Sequence, residues 1–387
     1  MPKKTWILTD VDADIYVDQI AIGPEQVGGS ALGYRVTKRR LRGGLRDGVD
    51  VVEVDNGRFR FVAIPTRGMG IWRAGCDDLQ LGWPSPVKGP VHPAFVHTWE
   101  GSGIGFLDGF DELLCRCGLE SNGAPEFSAD GKLLYPLHGK IGTRPAHKVD
   151  VTIDGDSGEI AVVGVVDEAR LFGNKLRMTT TITTRVGQPS MTITDEIQNI
   201  GGGPADLELL YHTNFGMPLL GEGAKLVLPI RKFAPRDAAA VADMGNWDTY
   251  GAPGSAAELC FFADLLANDR GDTQVLLRSA SGNQGVSLKF NKQQLPCFTL
   301  WKNPQAACDG YVTGIEPGLN YPNRKSFEKE KGRVAVLAPS QVRQFSLTIE
   351  AHTDQVAVDG AAAAVMALQK AAKPEILATP CADWSAL

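Results

Sequence analysis

Apolar and polar positions alternate with a period of two along most of the chain. Residues 174–186 (NKLRMTTTITTRV) and 190–198 (SMTITDEIQ) show the pattern most clearly and are rich in Thr, Ile and Val, the residues that suit a half-buried pleated surface. Residues 50–64 read as two β runs about Asn56-Gly57, a two-residue hairpin turn. Residues 147–166 repeat that form around an Asp/Gly/Ser turn, and further extended runs fall at 206–212, 224–230, 273–279, 284–290, 296–302, 332–338 and 341–350. Helical periodicity is scarce. Residues 359–373 are rich in helix formers and predict a helix or a loose tail, and 107–114 predicts one short helix. Many short antiparallel strands separated by turn residues argue for a large sandwich or barrel. No fixed-period repeat and no linker divides the chain, so a single domain spanning 1–387 is expected, with a core at about 25–352 and a tail at 353–387. The irregular, glycine-rich stretch at 67–147 is too long for a plain connection and is expected to carry function.

Composition narrows the partners. The 387 residues carry 39 basic and 45 acidic side chains, a net charge of −6, without any basic block. That balance disfavours nucleic acid and anionic membrane surfaces and favours a small neutral ligand. The N-terminal residues hold no uninterrupted apolar run of a secretory signal, and no stretch approaches a spanning helix; a cytoplasmic protein is expected. The seven cysteines, an odd number, read as free or buried thiols. A homodimer is compatible with all of this.

Candidate chemistry concentrates in a few polar residues set in apolar or turn-rich surroundings. His138 ends an extended run in YPLHGKIG, where it faces a cleft or caps the surface. His212 interrupts the apolar run LELLYHTNF, as a satisfied core histidine or as one presented on a sheet's hollow face. Glu316 ends the strand of GYVTGIEPG, and Pro317 keeps it extended; it is a strand-end surface carboxylate or a base whose pKa is raised by partial burial. Arg67, in PTRGMG, can fork onto hydroxyls or sit as a solvated turn residue. Trp301 and Lys302 follow a strand and offer a stacking face and a cation, with Asn122 and Arg144 as further binding candidates. His92 and His97 read as surface loop. The carboxylates around 108–120 lack the spacing of a calcium loop. A Walker A loop, a Gly-x-Ser-x-Gly elbow and a His-Glu-x-x-His helix are all missing.

Three strips, Leu137-His138-Gly139, Tyr211-His212-Thr213-Asn214-Phe215 and Ile315-Glu316-Pro317, occur in the order and spacing of the aldose 1-epimerase signatures. With IPTRGMGIW, CGLESNGAP and LHGKIGTRPA they resemble an aldose 1-epimerase-like bacterial branch over about residues 50–350. The resemblance implies a galactose mutarotase-like antiparallel β-supersandwich that binds a sugar on its concave face without metal or organic cofactor. It implies His212 as the acid protonating the ring oxygen, Glu316 as the base at the anomeric hydroxyl, and His138 and Arg67 as positioning groups. Two departures stand out: Tyr211 replaces an asparagine, and the acidic residue that binds sugar hydroxyls in that family has no clear counterpart, Asp243 and Asp264 lying in the corresponding region. Other outcomes of the same strips are a lyase, a ketose epimerase, a sugar-phosphate epimerase using Lys140, Arg144, Lys302, Arg324 and Lys325, a non-catalytic sugar binder, or a metal site formed by His138, His212 and Glu316.

Overall fold

A computed structural model describes residues 3–386. Two large sheets face each other: one of ten strands, the other of 14. The alternating segments form the first. Lys175–Arg185 pairs with Glu159–Ala169 on one side and Ser190–Asn199 on the other, with every second residue buried between the sheets. This all-β architecture is the one the strand pattern predicts. Leu8, Val151, Ile182, Ile193 and Leu347 from the smaller sheet meet Phe61, Leu114, Phe261, Leu300 and Ile315 from the larger in one continuous core.

The larger sheet carries the functional candidates. Its central strands run in the order Leu259–Leu265, Cys297–Asn303, Val312–Gly318, Ala205–Gly216, Leu114–Leu119 and Gly70–Cys76. One face of these strands packs into the core. The other is covered by the loops of residues 82–113 and 120–140, so strands such as Ala205–Gly216 and Val312–Gly318 are buried on both faces. That double burial explains why their sequences read as apolar runs without clean alternation.

The sheets are also clamped by charge. Arg116 of the larger sheet donates to both oxygens of Asp195 of the smaller, at 2.8 and 3.0 Å. Tyr211 and Thr180 hydroxyls donate to the same carboxylate at 2.7 and 2.6 Å, and a further Arg116 nitrogen donates to the Met69 carbonyl at 2.6 Å. Every carboxylate lone pair is thus engaged, as a buried ion pair requires.

Three sequence expectations are revised, and the helix expected in the tail is present. The hairpin at 50–64 forms, but Asn56 lies one position outside the turn centre. Its side chain accepts from the Arg58 and Phe59 amides and donates to Thr184, while Gly57 takes a positive φ of 90°. The core reaches beyond 25–352: Lys3–Asp10 pairs with Lys148–Asp154. The tail is folded onto the body through the helix Gln355–Gln369, the parallel pairing of Glu375–Ile376 with Ile230–Pro235, and Trp384 against Tyr321. The short helix expected at 107–114 is a 3-10 turn at Gly105–Gly109 that gives way to the strand Leu114–Leu119.

Candidate active site

Antiparallel register brings two distant residues together. Thr213 lies opposite Ile315 and Asn214 opposite Gly314, which sets His212 opposite Glu316. Their side chains rise on the loop-covered face, and His212 Nε2 lies 3.2 Å from Glu316 Oε1. Gly314 makes this contact possible. A Cβ there would stand 2.2 Å from Glu316 Oε1 and 3.1 Å from His212 Cε1. Period two puts residue 314 on the same face as 316, so any side chain would intrude between the pair.

The hydrogen-bond network assigns the proton. Asn214 Nδ2 donates to the Glu112 and His212 carbonyls at 3.0 and 3.3 Å, which orients its Oδ1 toward the imidazole. That oxygen lies 2.7 Å from His212 Nδ1. An amide oxygen only accepts, so Nδ1 carries the hydrogen and Nε2 presents its lone pair to Glu316. Glu316 Oε1 has no hydrogen-bond partner among the described residues, so the 3.2 Å approach is a close contact and not an aligned hydrogen bond. Burial sets the charge of both groups. Glu316 and His212 are 1% and 4% exposed. Desolvation holds the Glu316 carboxyl well above the usual carboxylate range and holds His212 well below the usual imidazole range. The resting pair is therefore a neutral acid against a neutral imidazole.

His138 stands beside the pair, its ring centre 5.2 Å from that of His212. It occupies a turn with φ of 59°, a left-handed conformation that a non-glycine residue holds only where its surroundings enforce it. The enforcing contacts are visible. The His138 amide donates to the Gly123 carbonyl, its own carbonyl accepts from Gly118, and its Nδ1 donates to the Asn122 carbonyl at 3.0 Å. Nε2 is left free to accept from a ligand. Burial pulls this imidazole down to about 4, so it is neutral at ordinary pH. Phe110 packs edge-on to His212 with centres 4.9 Å apart, Phe106 packs against His138, and Trp301 closes the far side at 5.5 Å from His212. Trp301 Nε1 donates to Glu258, which also meets Arg236 at 3.3 Å. His138 and Trp301 keep partly exposed edges. They mark the approach to an otherwise aromatic enclosure.

Residues 46–351 match a family model described as Domain of unknown function (DUF4432). The chain belongs to the DUF4432 family. A crystal structure from Klebsiella pneumoniae subsp. pneumoniae MGH 78578, described as "a putative aldose 1-epimerase", is 33% identical over 98% of this chain and 99% of its own, with a TM-score of 0.94. A galactose mutarotase-like protein from Clostridium acetobutylicum matches at TM-score 0.55 and 14% identity, covering 81% of this chain and 97% of its own. Galactose 1-epimerase from Lactobacillus acidophilus NCFM matches at 0.54 and 12%, covering 82% and 98%. At those identities the likeness shows the fold alone, and that fold is the galactose mutarotase-like β-sandwich. None of the curated proteins compared matches. Among the described residues no helix is long and apolar enough to cross a membrane.

This DUF4432 chain sorts the sequence candidates into three groups. His212, Glu316, His138 and Trp301 converge. Asn122 acts at one remove: its side chain pairs with Asn320 at 2.8 Å while its carbonyl holds His138. Arg67, Lys302 and Arg144 do not join the pair. Arg67 is buried, 2.7 Å from Glu112, and donates to the Val91 and Gly109 carbonyls, so it braces the loop that carries Phe110 instead of reaching a ligand. Lys302 follows Trp301 in the strand and therefore points to the opposite face, where its ammonium caps the Asn246 and Thr249 carbonyls beside Asp243. Arg144 lies at an exposed edge, in a small cavity with Trp99 and Lys140. Of the cations considered for a phosphate, Lys140 pairs with Glu120, Lys325 with Asp206 and Lys302 with Asp243. Among the described residues no three His, Cys, Asp or Glu side chains are set to hold a metal ion.

Tyr211 proves unrelated to the site, because its side chain lies on the core face with Asp195. Asp243 and Asp264 pair with Lys302 and Arg231 away from the site; the acid beside Trp301 is Glu258. Asn214 and Gly314 were missed although both lie two residues from a recognised position, a spacing that places them on the same face. Phe110, Arg236 and Glu258 had no local signal.

Proposed function

We propose that this protein is an acid–base isomerase acting at the anomeric carbon of a sugar, an aldose 1-epimerase in reaction type. The observation that carries the proposal is the approach of two buried acid–base groups, His212 Nε2 and Glu316 Oε1, to 3.2 Å. Ring opening needs one proton removed from the anomeric hydroxyl and one delivered to the ring oxygen. A pair holding a single mobile proton supplies both. Glu316 in its ionised form is the base at the hydroxyl, and His212 with the proton on Nε2 is the acid at the ring oxygen. Rotation about C1–C2 and the reverse proton transfers close the other anomer. Each group is worth about 10²–10⁴-fold. His138 Nε2 accepts from a sugar hydroxyl and Trp301 lies against the ring. To react, the sugar oxygens must replace the direct contact between the pair, with Phe110 yielding space.

Polarimetry or exchange NMR of freshly dissolved aldoses tests the reading. Accelerated anomer exchange supports it, and a folded protein that binds sugar without accelerating any aldose overturns it.

Two expected outcomes follow from the site's construction. Gly314→Ala should slow exchange by about 10²-fold, because displacing a reacting group by an ångström costs that much. The intruding methyl meets only side-chain ends of Glu316 and His212, so the melting curve should stay close to that of wild type. Acidity should matter little near the usual imidazole value. Burial drives the His212 pKa well below 6.5, so the exchange rate should show no imidazole inflection near pH 6.5. A titration centred near 6.5 would mean that the imidazole is solvated.

A further inference from the structure

Beyond Trp83 and Phe110, on the same face of the same sheet, lies a cavity of about 460 Å³. Its wall includes Trp72, Arg73, Gln80, Trp83, Lys88 and Asp111. The strand Gly70–Cys76 that carries Trp72 is separated from the His212 strand by one neighbour, Leu114–Leu119, so the cavity begins two strand spacings, ~10 Å, from the pair. Trp83 touches Phe110 at 5.3 Å, and Phe110 touches His212 at 4.9 Å. That separation matches one further ring of a linked substrate.

The groups lining the cavity are unspent. Asp111 is 6% exposed; its Oδ2 accepts from Trp72 Nε1 at 3.0 Å, and its Oδ1 has no partner. Burial and the neighbouring Glu112 push this carboxyl up to about 8, so at neutral pH it carries a proton and does not repel an anion. The Arg73 guanidinium lies 3.6 Å over the Trp72 ring. Neither Arg73 nor Lys88 forms an ion pair among the described residues, in contrast to the nearby Arg67 and Arg58, which both do. Arg73 and Gln80 also border an adjoining cleft with Arg39, Arg60 and Glu53, whose three guanidiniums outnumber its one carboxylate. Indole faces beside planar amide and guanidinium groups suit a sugar ring, and an unpaired guanidinium fork suits a carboxylate or phosphate.

We infer that this cavity is an accessory saccharide subsite, built for a sugar unit that bears an acidic group and is linked to the unit held at His212 and Glu316. The inference rests on the proposed sugar chemistry for its ligand class. It gives Arg73 the role of specificity residue for the acidic group. It also makes the preferred substrate longer than a single neutral ring.

Calorimetric titration with galacturonic acid, digalacturonic acid, glucose 6-phosphate and galactose tests it, on wild type, Arg73→Gln and Glu316→Gln. Wild type should bind digalacturonic acid more tightly than galactose. Arg73→Gln should weaken that binding about tenfold, the loss expected for a charge-assisted fork, while leaving galactose anomer exchange unchanged. Glu316→Gln should keep the acidic preference. Arg73-dependent binding of glucose 6-phosphate in place of the uronates would assign the acidic group as phosphate. Equal binding by wild type and Arg73→Gln, or no binding of any acidic sugar, overturns the inference. Absence of anomer exchange alongside Arg73-dependent binding would instead overturn the proposed isomerase reading and leave the subsite standing.

Discussion

Replacing Glu316 with glutamine is expected to lower the rate of anomer exchange by about 10²–10⁴-fold, the range for loss of a positioned acid–base group, while the protein remains folded. The two halves of this expectation have one cause. In the resting state Glu316 is a neutral acid 3.2 Å from His212 Nε2, because burial opposes its charge. A glutamine amide is neutral and has nearly the same shape, so packing survives. The amide cannot accept a proton from an anomeric hydroxyl, so the chemistry does not. Exchange NMR at saturating sugar reads the first half and thermal denaturation the second. A variant that exchanges anomers as fast as wild type would remove Glu316 from the mechanism. One that fails to fold would show instead that the carboxyl is needed for the sheet.

The sheet architecture and three of the site's side chains were legible in the sequence for the same reason: local pattern reports them. Period-two alternation in 174–186 and 190–198 reflects strands with one face between the sheets and one face wet. His138, His212 and Glu316 were conspicuous because each is a polar group in an apolar or turn-bound setting. The same cue misled at Arg67, whose position after an apolar strand looked like an opening to a ligand. Its guanidinium turns inward to Glu112, an acid 45 positions further on that no local spacing connects to it. Lys302 misled differently. It follows Trp301 directly in a strand of regular register, where adjacent residues point to opposite faces. Arg236, Glu258 and Phe110 come from separate strands and loops, so their meeting at the pair is a property of the closed sheet alone. The N-terminal strand escaped notice because Lys3–Asp10 is short and partly exposed, and only its partner Lys148–Asp154 gives it a reason to be extended.

Loss of the Asp195 carboxylate is the other large effect, and it falls on stability. Asp195→Ala leaves the Arg116 guanidinium buried between the sheets with only the Met69 and Gly68 carbonyls close by, and leaves the Tyr211 and Thr180 hydroxyls without their acceptor. Breaking one side of a buried pair costs about 3–5 kcal/mol, because the surviving charge remains desolvated. Denaturant titration should show a shift of that size, with the midpoint falling and the slope little changed. The matched replacement Asp195→Leu with Arg116→Met should recover most of the loss, since no charge is then stranded. Asp195→Leu alone separates an electrostatic clamp from a packing defect: it fills the space but strands the Arg116 charge, so it should stay as weak as Asp195→Ala. The clamp also bears on the site. Tyr211 and His212 are adjacent on one strand and project to opposite faces, so the network that fixes Tyr211 from the core side fixes the backbone that presents the imidazole. Folded Asp195→Ala should therefore exchange anomers more slowly than wild type even well below its melting temperature, and the double variant should recover stability more fully than rate, because leucine cannot accept from the Tyr211 hydroxyl.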